Sequence, residues 1–313
     1  MSRFRSALRC SSAIVTHCLA GRRISQENRA TRRLQSIADV RSVSTLVHGR
    51  QLHAYVEDSA RGTPVVLVHG LGISARYLLP TARVLAEDHP VYAPDLPGFG
   101  LTPGPKEALD IPGLARELLA WMDAMKIEQP ILLANSMGCQ TVTALAAMAP
   151  NRISRLVLVG PCIDPKYNSI MKQIPRWLLD TFREPFALFP VILRDYLRCG
   201  FRRFMATGRH ALKHPIEGDA PNVKVPVLVV RGEHDAFSTA AWAEKLAKLF
   251  PQGKSATIYD AAHAVNFSAP HALAGLVRWF CGRASLLTPW DGRTMTQPGD
   301  SSGKRQHRLH RFG

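Results

Sequence analysis

The amino-acid sequence predicts an α/β protein built on a mostly parallel, doubly wound sheet. Five short apolar runs recur along the chain, and each is continuous rather than alternating. A strand that is apolar on both faces is covered on both faces, as in a parallel sheet flanked by helices. Patterns with apolar residues three and four positions apart separate these runs, so strands and helices alternate. The predicted strands are PVVLVHG (64–70), PVYAPDLPG (90–98), PILLAN (130–135), RLVLVG (155–160) and VPVLVVRG (225–232), and the predicted helices are 76–87, 112–126, 137–149, 239–250 and 270–281.

Two further segments complete the predicted domain organisation. STLVHGRQLHAYVED, ahead of the first buried run, predicts a hairpin that turns near Gly49 and forms an antiparallel edge of the same sheet. Residues 162–221 contain amphipathic pieces but no strand run, so we expect a helical cap inserted between the two parts of the core, 42–161 and 222–283. The apolar faces of this cap are expected to pack on the carboxyl edge of the sheet, where open α/β sheets bind ligands. Its aromatic residues are Trp177, Phe182, Phe186, Phe189, Tyr196, Phe201 and Phe204.

The basic residues are unevenly distributed. The formal net charge is +16, and the surplus lies in residues 1–50, 162–221 and 281–313, whereas the remaining stretches cancel. A basic surplus raises nucleic acid or an anionic membrane as a partner, but a neutral core makes nucleic acid an unlikely one. Residues 1–41 are expected to form a basic, disordered arm and residues 284–313 a solvated basic tail, because neither can bury enough apolar surface.

Composition also bears on the compartment. No run approaches the roughly 20 apolar residues that span a bilayer, so we expect no transmembrane helix. The six cysteines are scattered without metal-ligand spacing, which favours a reduced, cytoplasmic setting. The Arg- and Ser-rich residues 1–40 keep organelle targeting open as the alternative.

Ser136 lies in a sharp turn between a predicted strand and a predicted helix. In ANSMG the positions two before and two after it, Ala134 and Gly138, are both small, as a strained turn of this kind requires. Such a turn would lift the hydroxyl above the sheet and aim the first helical amides at whatever the hydroxyl attacks. Because serine is also a favoured helix N-cap, this segment alone leaves that simpler role open.

Three other segments occur in the order expected beside such a turn. VHGLG (68–72) follows the first buried strand, and DLPGFGLT (95–102) follows the next. VPVLVVRGEHD then places Asp235 just past a strand end, and IYDAAHAVN places His263 after it. Over roughly residues 42–283 the sequence resembles the α/β-hydrolase fold superfamily, with Ala134 in place of the first glycine of its usual G-x-S-x-G motif.

The resemblance implies a catalytic triad and an oxyanion hole. It gives Ser136 as nucleophile, His263 as base, Asp235 as the acid that orients the base, and the backbone N–H groups of Leu71 and Met137 as oxyanion donors. It also implies that His69 is structural. His234 and Asp260 remain the reserve base and acid, and Cys139 is expected to pack rather than react.

No cofactor or metal is expected. His210 and His214 have a zinc-like spacing on a predicted helix, but no HExxH glutamate accompanies them. The chain also lacks a dinucleotide-binding glycine fingerprint after its first strand. The cap contains four basic residues that we interpret as solvated charges: Arg198, Arg202, Arg203 and Arg209. The alternative is that one of these arginines points inward and binds a substrate carboxylate or phosphate.

The favoured function is hydrolysis of a carboxylic ester of a small acyl substrate with a hydrophobic or aromatic group, through an acyl-enzyme. One alternative is a C–C bond hydrolase of meta-cleavage-type dienoates, because NSMG is similar to the nucleophile elbow of that group, the sharp strand-to-helix turn that carries the serine. Those enzymes carry tryptophan directly after the histidine, whereas this chain has Ala264. Another alternative is a weakly catalytic, ligand-binding protein of the same fold. Homo-oligomerisation is left open.

Overall fold

A computed structural model describes residues 40–162, 164–167, 169–282 and 309–310. Its sheet contains nine strands in the order β1-β2-β4-β3-β5-β6-β7-β8-β9. Most of the predicted N-terminal arm and C-terminal tail lies outside the described residues, so disorder and targeting there stay predictions. The strands are β1 (Arg41–Val47), β2 (Arg50–Glu57), β3 (Val65–Val68), β4 (Val91–Pro94), β5 (Ile131–Asn135), β6 (Arg155–Val159), β7 (Val227–Gly232), β8 (Gly253–Ile258) and β9 (Leu309–His310).

The predicted fold class is confirmed. Strands β3 to β8 pair in parallel, and the predicted hairpin is present as β1 and β2, which are antiparallel and turn at residues 48–49. The short β9 pairs antiparallel with the outer edge of β8. The central strands are buried along their whole length, which explains why their sequences are continuously apolar.

Helices cover both faces of the sheet and enclose two apolar layers. On one side Leu114, Val142 and Trp242 belong to the core cluster, and on the other side Leu85 and Leu273 do. The α-helices are α1 (Leu79–Leu85), α2 (Ile111–Ala124), α3 (Met137–Met148), α4 (Ile170–Thr181), α5 (Phe189–Cys199), α6 (Phe201–Lys213), α7 (Ile216–Asp219), α8 (Ala240–Leu249), α9 (Val265–Ser268) and α10 (Pro270–Phe280).

Four of these helices, α4 to α7, lie between β6 and β7. The expectation that their apolar faces pack on the sheet edge is wrong for much of α4 and α5. Phe182, Phe186, Phe189 and Phe201 are exposed, whereas the partly buried Tyr196 packs between Trp177 and Phe204. The reason is that the inward sides of α4 and α5 carry buried carboxylates, Asp180 and Asp195.

Among the described residues, no helix combines the length and the apolar character needed to cross a bilayer.

Candidate active site

Ser136 occupies a strained turn at the carboxyl end of β5. Its φ of 60° and ψ of −127° lie where a residue with a side chain is disfavoured, so the surrounding structure must hold it there. A Cβ on Gly138 would stand 2.6 Å from the carbonyl oxygen of His69, which leaves room only for glycine. The side chain of Ser136 makes no capping hydrogen bond to α3. Its hydroxyl is therefore directed away from the helix that it precedes.

The loop after β3 lies directly against the serine. A Cβ on Gly70 would stand 2.9 Å from the Cβ of Ser136, so this backbone approaches as closely as glycine permits. The next residue in that loop is Leu71, and Met137 is the first residue of α3. Backbone N–H groups at a helix start favour negative charge, which suits the oxyanion role that the sequence suggests for Met137.

His69 supports this loop rather than the reaction centre. The ring is fully buried, its Nε2 accepts from the backbone N–H of Leu96 at 2.9 Å, and its Nδ1 lies 2.8 Å from the carbonyl oxygen of Gly70. Burial lowers the pKa of His69. A neutral ring that bonds two loops at once fits the structural role expected for it.

Asp235 and His263 form a buried pair at the ends of β7 and β8. The Nδ1 of His263 lies 3.0 Å from the Oδ2 of Asp235. The carboxylate also accepts from the backbone N–H groups of Phe237 at 2.8 Å and Ser238 at 2.9 Å, which fixes its orientation. Burial opposes the charge on His263, but the Asp235 carboxylate and Cys162 favour it, and the net effect is a pKa well above the ordinary value.

Cys162 lies between the serine and the histidine, a contact that the sequence analysis missed. Its Sγ is 3.1 Å from the Oγ of Ser136 and 3.7 Å from the Nε2 of His263. The thiol is therefore the common neighbour of the two groups. The one available signal was its position just beyond the carboxyl end of β6, at the edge where the other site residues lie.

Asn135, the residue before Ser136, ties three strand ends together. Its Nδ2 donates to the carbonyl oxygens of Val159 and His263, each at 3.1 Å, and its Oδ1 accepts from the Tyr77 hydroxyl at 2.6 Å. All of these groups are buried or nearly so, which makes the bonds costly to break. The loop that carries His263 is thus fixed relative to the elbow.

The C-terminal half of α4 and the residues just after it hold the loops that carry Asp235 and His263. The backbone N–H of Ala264 donates to the Oε1 of Glu184 at 2.6 Å, and the Arg176 and Arg183 guanidiniums donate to the carbonyl oxygens of Ala236 and His234. Burial raises the pKa of Glu184 to about 7, with a further increase from its neighbour Asp180. Burial likewise raises the pKa of Asp180 to about 6. Sequence reasoning did not find these carboxylates.

Aromatic rings from the cap and the core surround the same region. Phe237 packs on the His263 ring with centroids 4.7 Å apart. Tyr196 packs between Trp177 and Phe204, at 6.5 Å and 5.2 Å. A Cβ on Gly72, in the loop after β3, would collide with both Phe204 and Tyr196. The cap therefore rests closely on that loop through an aromatic cluster.

The remaining candidate residues do not join the group of Ser136, Cys162, Asp235 and His263. His234 and Asp260 are exposed and group with Glu233 within 4.8 Å, and Asp235 rather than Asp260 contacts the His263 ring. His214 pairs with Asp219 rather than with His210. The buried Cys139 thiol donates to backbone carbonyls, as expected of a packing residue.

Most of the cap arginines are exposed, as the interpretation as solvated charges predicts. Arg198, Arg202 and Arg209 are exposed, and the half-buried Arg203 donates to the carbonyl oxygen of Pro105.

Known proteins resemble this chain over most of its described part. A family model described as the alpha/beta hydrolase fold matches residues 63–192. The esterase YbfF of Escherichia coli (strain K12) is 26% identical over 71% of this chain and 94% of its own length. A 2-hydroxymuconate semialdehyde hydrolase of Pseudomonas sp. (strain CF600) is 36% identical, but over 34% of this chain and 38% of its own length. The enol-lactonase of Burkholderia xenovorans LB400 has the same fold, with a TM-score of 0.64, 23% identity, and coverage of 76% of this chain and 99% of its own.

Proposed function

Because the chain belongs to the α/β-hydrolase superfamily and resembles proteins named as esterases and hydrolases, we propose that it is a serine hydrolase that cleaves carboxylic esters. The observation that carries the proposal is the meeting of a strained, uncapped Ser136 with the Asp235–His263 pair at one edge of the sheet. These are the residue types and the relative order that nucleophilic acyl transfer needs.

The reaction begins at the hydroxyl of Ser136. A serine hydroxyl is a weak nucleophile until a base takes its proton, and we assign that role to His263, which shares Cys162 with Ser136 as a neighbour. As Oγ attacks the ester carbonyl, its proton passes to Nε2 of His263, and Asp235 stabilises the imidazolium through Nδ1. The backbone N–H groups of Leu71 and Met137 stabilise the oxyanion that forms, and a lost donor costs about 3–4 kcal/mol in comparable enzymes.

Collapse of this intermediate releases the alcohol. His263 protonates the leaving oxygen, and the acyl group remains on Ser136. Water then attacks the acyl-enzyme with His263 again as base, and the carboxylic acid leaves. The aromatic cluster of Trp177, Tyr196 and Phe204 favours a hydrophobic or aromatic acyl group.

The test compares two nucleophile variants, because Cys162 is a second candidate in contact with His263. We expect Ser136→Ala to lower the turnover of p-nitrophenyl esters by at least about 10⁴-fold, since the acyl-enzyme cannot form. Cys162→Ala is expected to keep most of the activity. The reverse pattern would make the thiol the nucleophile. Equal turnover by Ser136→Ala, Cys162→Ala and the wild type would remove both residues from the mechanism, and no wild-type turnover at all would favour a ligand-binding protein.

A second candidate function is hydrolysis of a C–C bond in a meta-cleavage-type dienoate. It is favoured by the 36% identity to the 2-hydroxymuconate semialdehyde hydrolase over the matched segment. Against it, the residue after His263 is Ala264, whose N–H is held by Glu184. Loss of the colour of a dienoate substrate, abolished by Ser136→Ala, would support this candidate over the ester.

A further inference from the structure

The helices α4 and α5 turn their apolar sides outward. On α4 the residues Met171, Ile174, Leu178 and Phe182 recur three and four positions apart, and all are exposed. At 100° per residue they lie on the side of the helix opposite to the buried Asp180. A surface helix ordinarily buries its apolar side, so α4 is inverted.

The following helix repeats this arrangement. Phe189, Leu193 and Leu197 are exposed on α5, on the side opposite to the buried Asp195 and Cys199. Phe186, in the turn that joins the two helices, is 97% exposed, and Phe182 is 87% exposed. Exposed apolar residues are ordinary when scattered, but eight of them on two consecutive helices and the segment that joins them mark an interaction surface. We define these eight as the outer cap surface: Met171, Ile174, Leu178, Phe182, Phe186, Phe189, Leu193 and Leu197.

The charges around this surface have one sign. The three carboxylates between residues 170 and 213 are Asp180, Glu184 and Asp195, and each is turned inward and at least half-buried. The exposed charged residues of the same segment are all basic: Lys172, Arg183, Arg198, Arg202, Arg209 and Lys213. Two copies of this chain that met through such surfaces would bring like charges together. The partner must instead be apolar and negatively charged.

We infer that the outer cap surface docks on an anionic lipid bilayer. Exposed Phe, Leu, Ile and Met side chains would enter the boundary between headgroups and acyl chains, while the basic residues beside them pair with anionic headgroups. The same part of the cap contacts the candidate active site with its other side. Glu184, just after α4, accepts from the backbone N–H of Ala264, and Tyr196 of α5 packs on the loop after β3 at Gly72. Docking would therefore place the cap between the site and the lipid. The inference concerns the surface alone and does not depend on which bond the site cleaves.

The experiment is vesicle flotation with the full chain. Vesicles of phosphatidylcholine alone are compared with vesicles that contain roughly a third phosphatidylglycerol. The first variant combines Phe182→Ser, Phe186→Ser and Leu197→Ser, and the second combines Arg198→Gln and Arg202→Gln. Leu46→Ser is the matched control, because Leu46 is a 63% exposed leucine on β1, far in sequence from the cap.

We expect the wild type to float with the anionic vesicles and much less with the neutral ones. The triple serine variant should lower the partition coefficient by about tenfold or more, because three apolar side chains no longer enter the lipid. The double glutamine variant should lose about tenfold on anionic vesicles and little on neutral ones. Leu46→Ser should leave binding within about twofold of the wild type, because scattered surface leucines lie outside the docking face.

Three results would overturn the inference. The first is failure of the wild type to float with either vesicle. The second is wild-type binding by both the triple serine variant and the double glutamine variant, which would assign any binding to the basic tails. The third is a wild-type dimer and a monomeric triple serine variant in size-exclusion chromatography, which would make a second copy the occupant. All substituted residues are exposed, and equal thermal unfolding of variants and wild type would exclude misfolding as the cause.

Discussion

Replacing Glu184 with glutamine should change how the stability of the protein depends on pH. The carboxyl of Glu184 is largely buried beside Asp180, and its Oε1 accepts from the backbone N–H of Ala264 at 2.6 Å. An amide oxygen at the same place can accept the same hydrogen bond. Glu184→Gln therefore removes the titration of the group and keeps its main contact.

The size of the effect follows from the pKa of Glu184. Burial raises it from 4.5 to about 7, so between these values the folded protein binds more protons than the unfolded chain. Stability contributed by the protonated carboxyl is complete below 4.5, falls as the pH rises, and is lost above about 7. A shift of this size corresponds to about 3 kcal/mol. The free energy of unfolding of the variant, relative to that of the wild type, should thus increase by about 2–3 kcal/mol between about pH 5 and pH 8.

Urea unfolding at the two pH values measures this difference. Glu107→Gln is the matched control, because it makes the same substitution at an exposed carboxyl of a surface loop, and it should follow the wild type at both. Asp180 and His263, whose pKa values are also raised, titrate in both proteins, so only the difference between the two pH profiles reports on Glu184. Parallel pH profiles for the wild type and Glu184→Gln would refute the conclusion that Glu184 is held protonated by burial at the cap.

Two further substitutions probe the site itself. Cys162→Ala should lower the pKa that the acid limb of the kcat/KM profile reports towards the ordinary histidine value, because Cys162 is one of the groups that raise the pKa of His263. The same variant should resist inactivation by N-ethylmaleimide. An unchanged pH profile together with full sensitivity to the reagent would contradict the contact between Cys162 and His263. Asp235→Asn should lower kcat by about 10⁴-fold, because an asparagine favours the wrong tautomer of His263. Ester turnover at saturating substrate measures that loss, and a decrease of less than about tenfold would show that Asp235 does not orient the ring.

The sheet and the elbow could be predicted because their signals are local. Continuous apolar runs identify strands buried on both faces, and the observed β3, β5 and β7 are buried throughout. The small residues around Ser136 report a backbone requirement that the structure shows directly, since Gly138 has no room for a Cβ. The meeting of Asp235 and His263 follows from parallel strands, whose carboxyl ends share one edge.

Contacts between the cap and the core were not predictable in the same way. Glu184 and Ala264 are 80 residues apart, and Cys162 and His263 are 101 apart. No spacing rule relates residues on different sides of an inserted domain, because their distance depends on how the insertion packs. Cys162 was foreseeable only as a residue near the active edge, and its position between Ser136 and His263 required coordinates.

The orientation of α4 and α5 shows why periodicity alone gives the wrong side. A repeat of three and four residues establishes that a helix has an apolar and a polar side, and the usual inference places the apolar side inward. Here two of the inward carboxylates have specific partners: Asp195 of α5 accepts from the backbone N–H of Ser74, and Glu184, just after α4, accepts from that of Ala264. A buried carboxylate without such partners would be costly, whereas exposed phenylalanine costs little. Hydrogen bonds to the core therefore determine which side of the cap faces solvent, and the outer cap surface is apolar as a consequence.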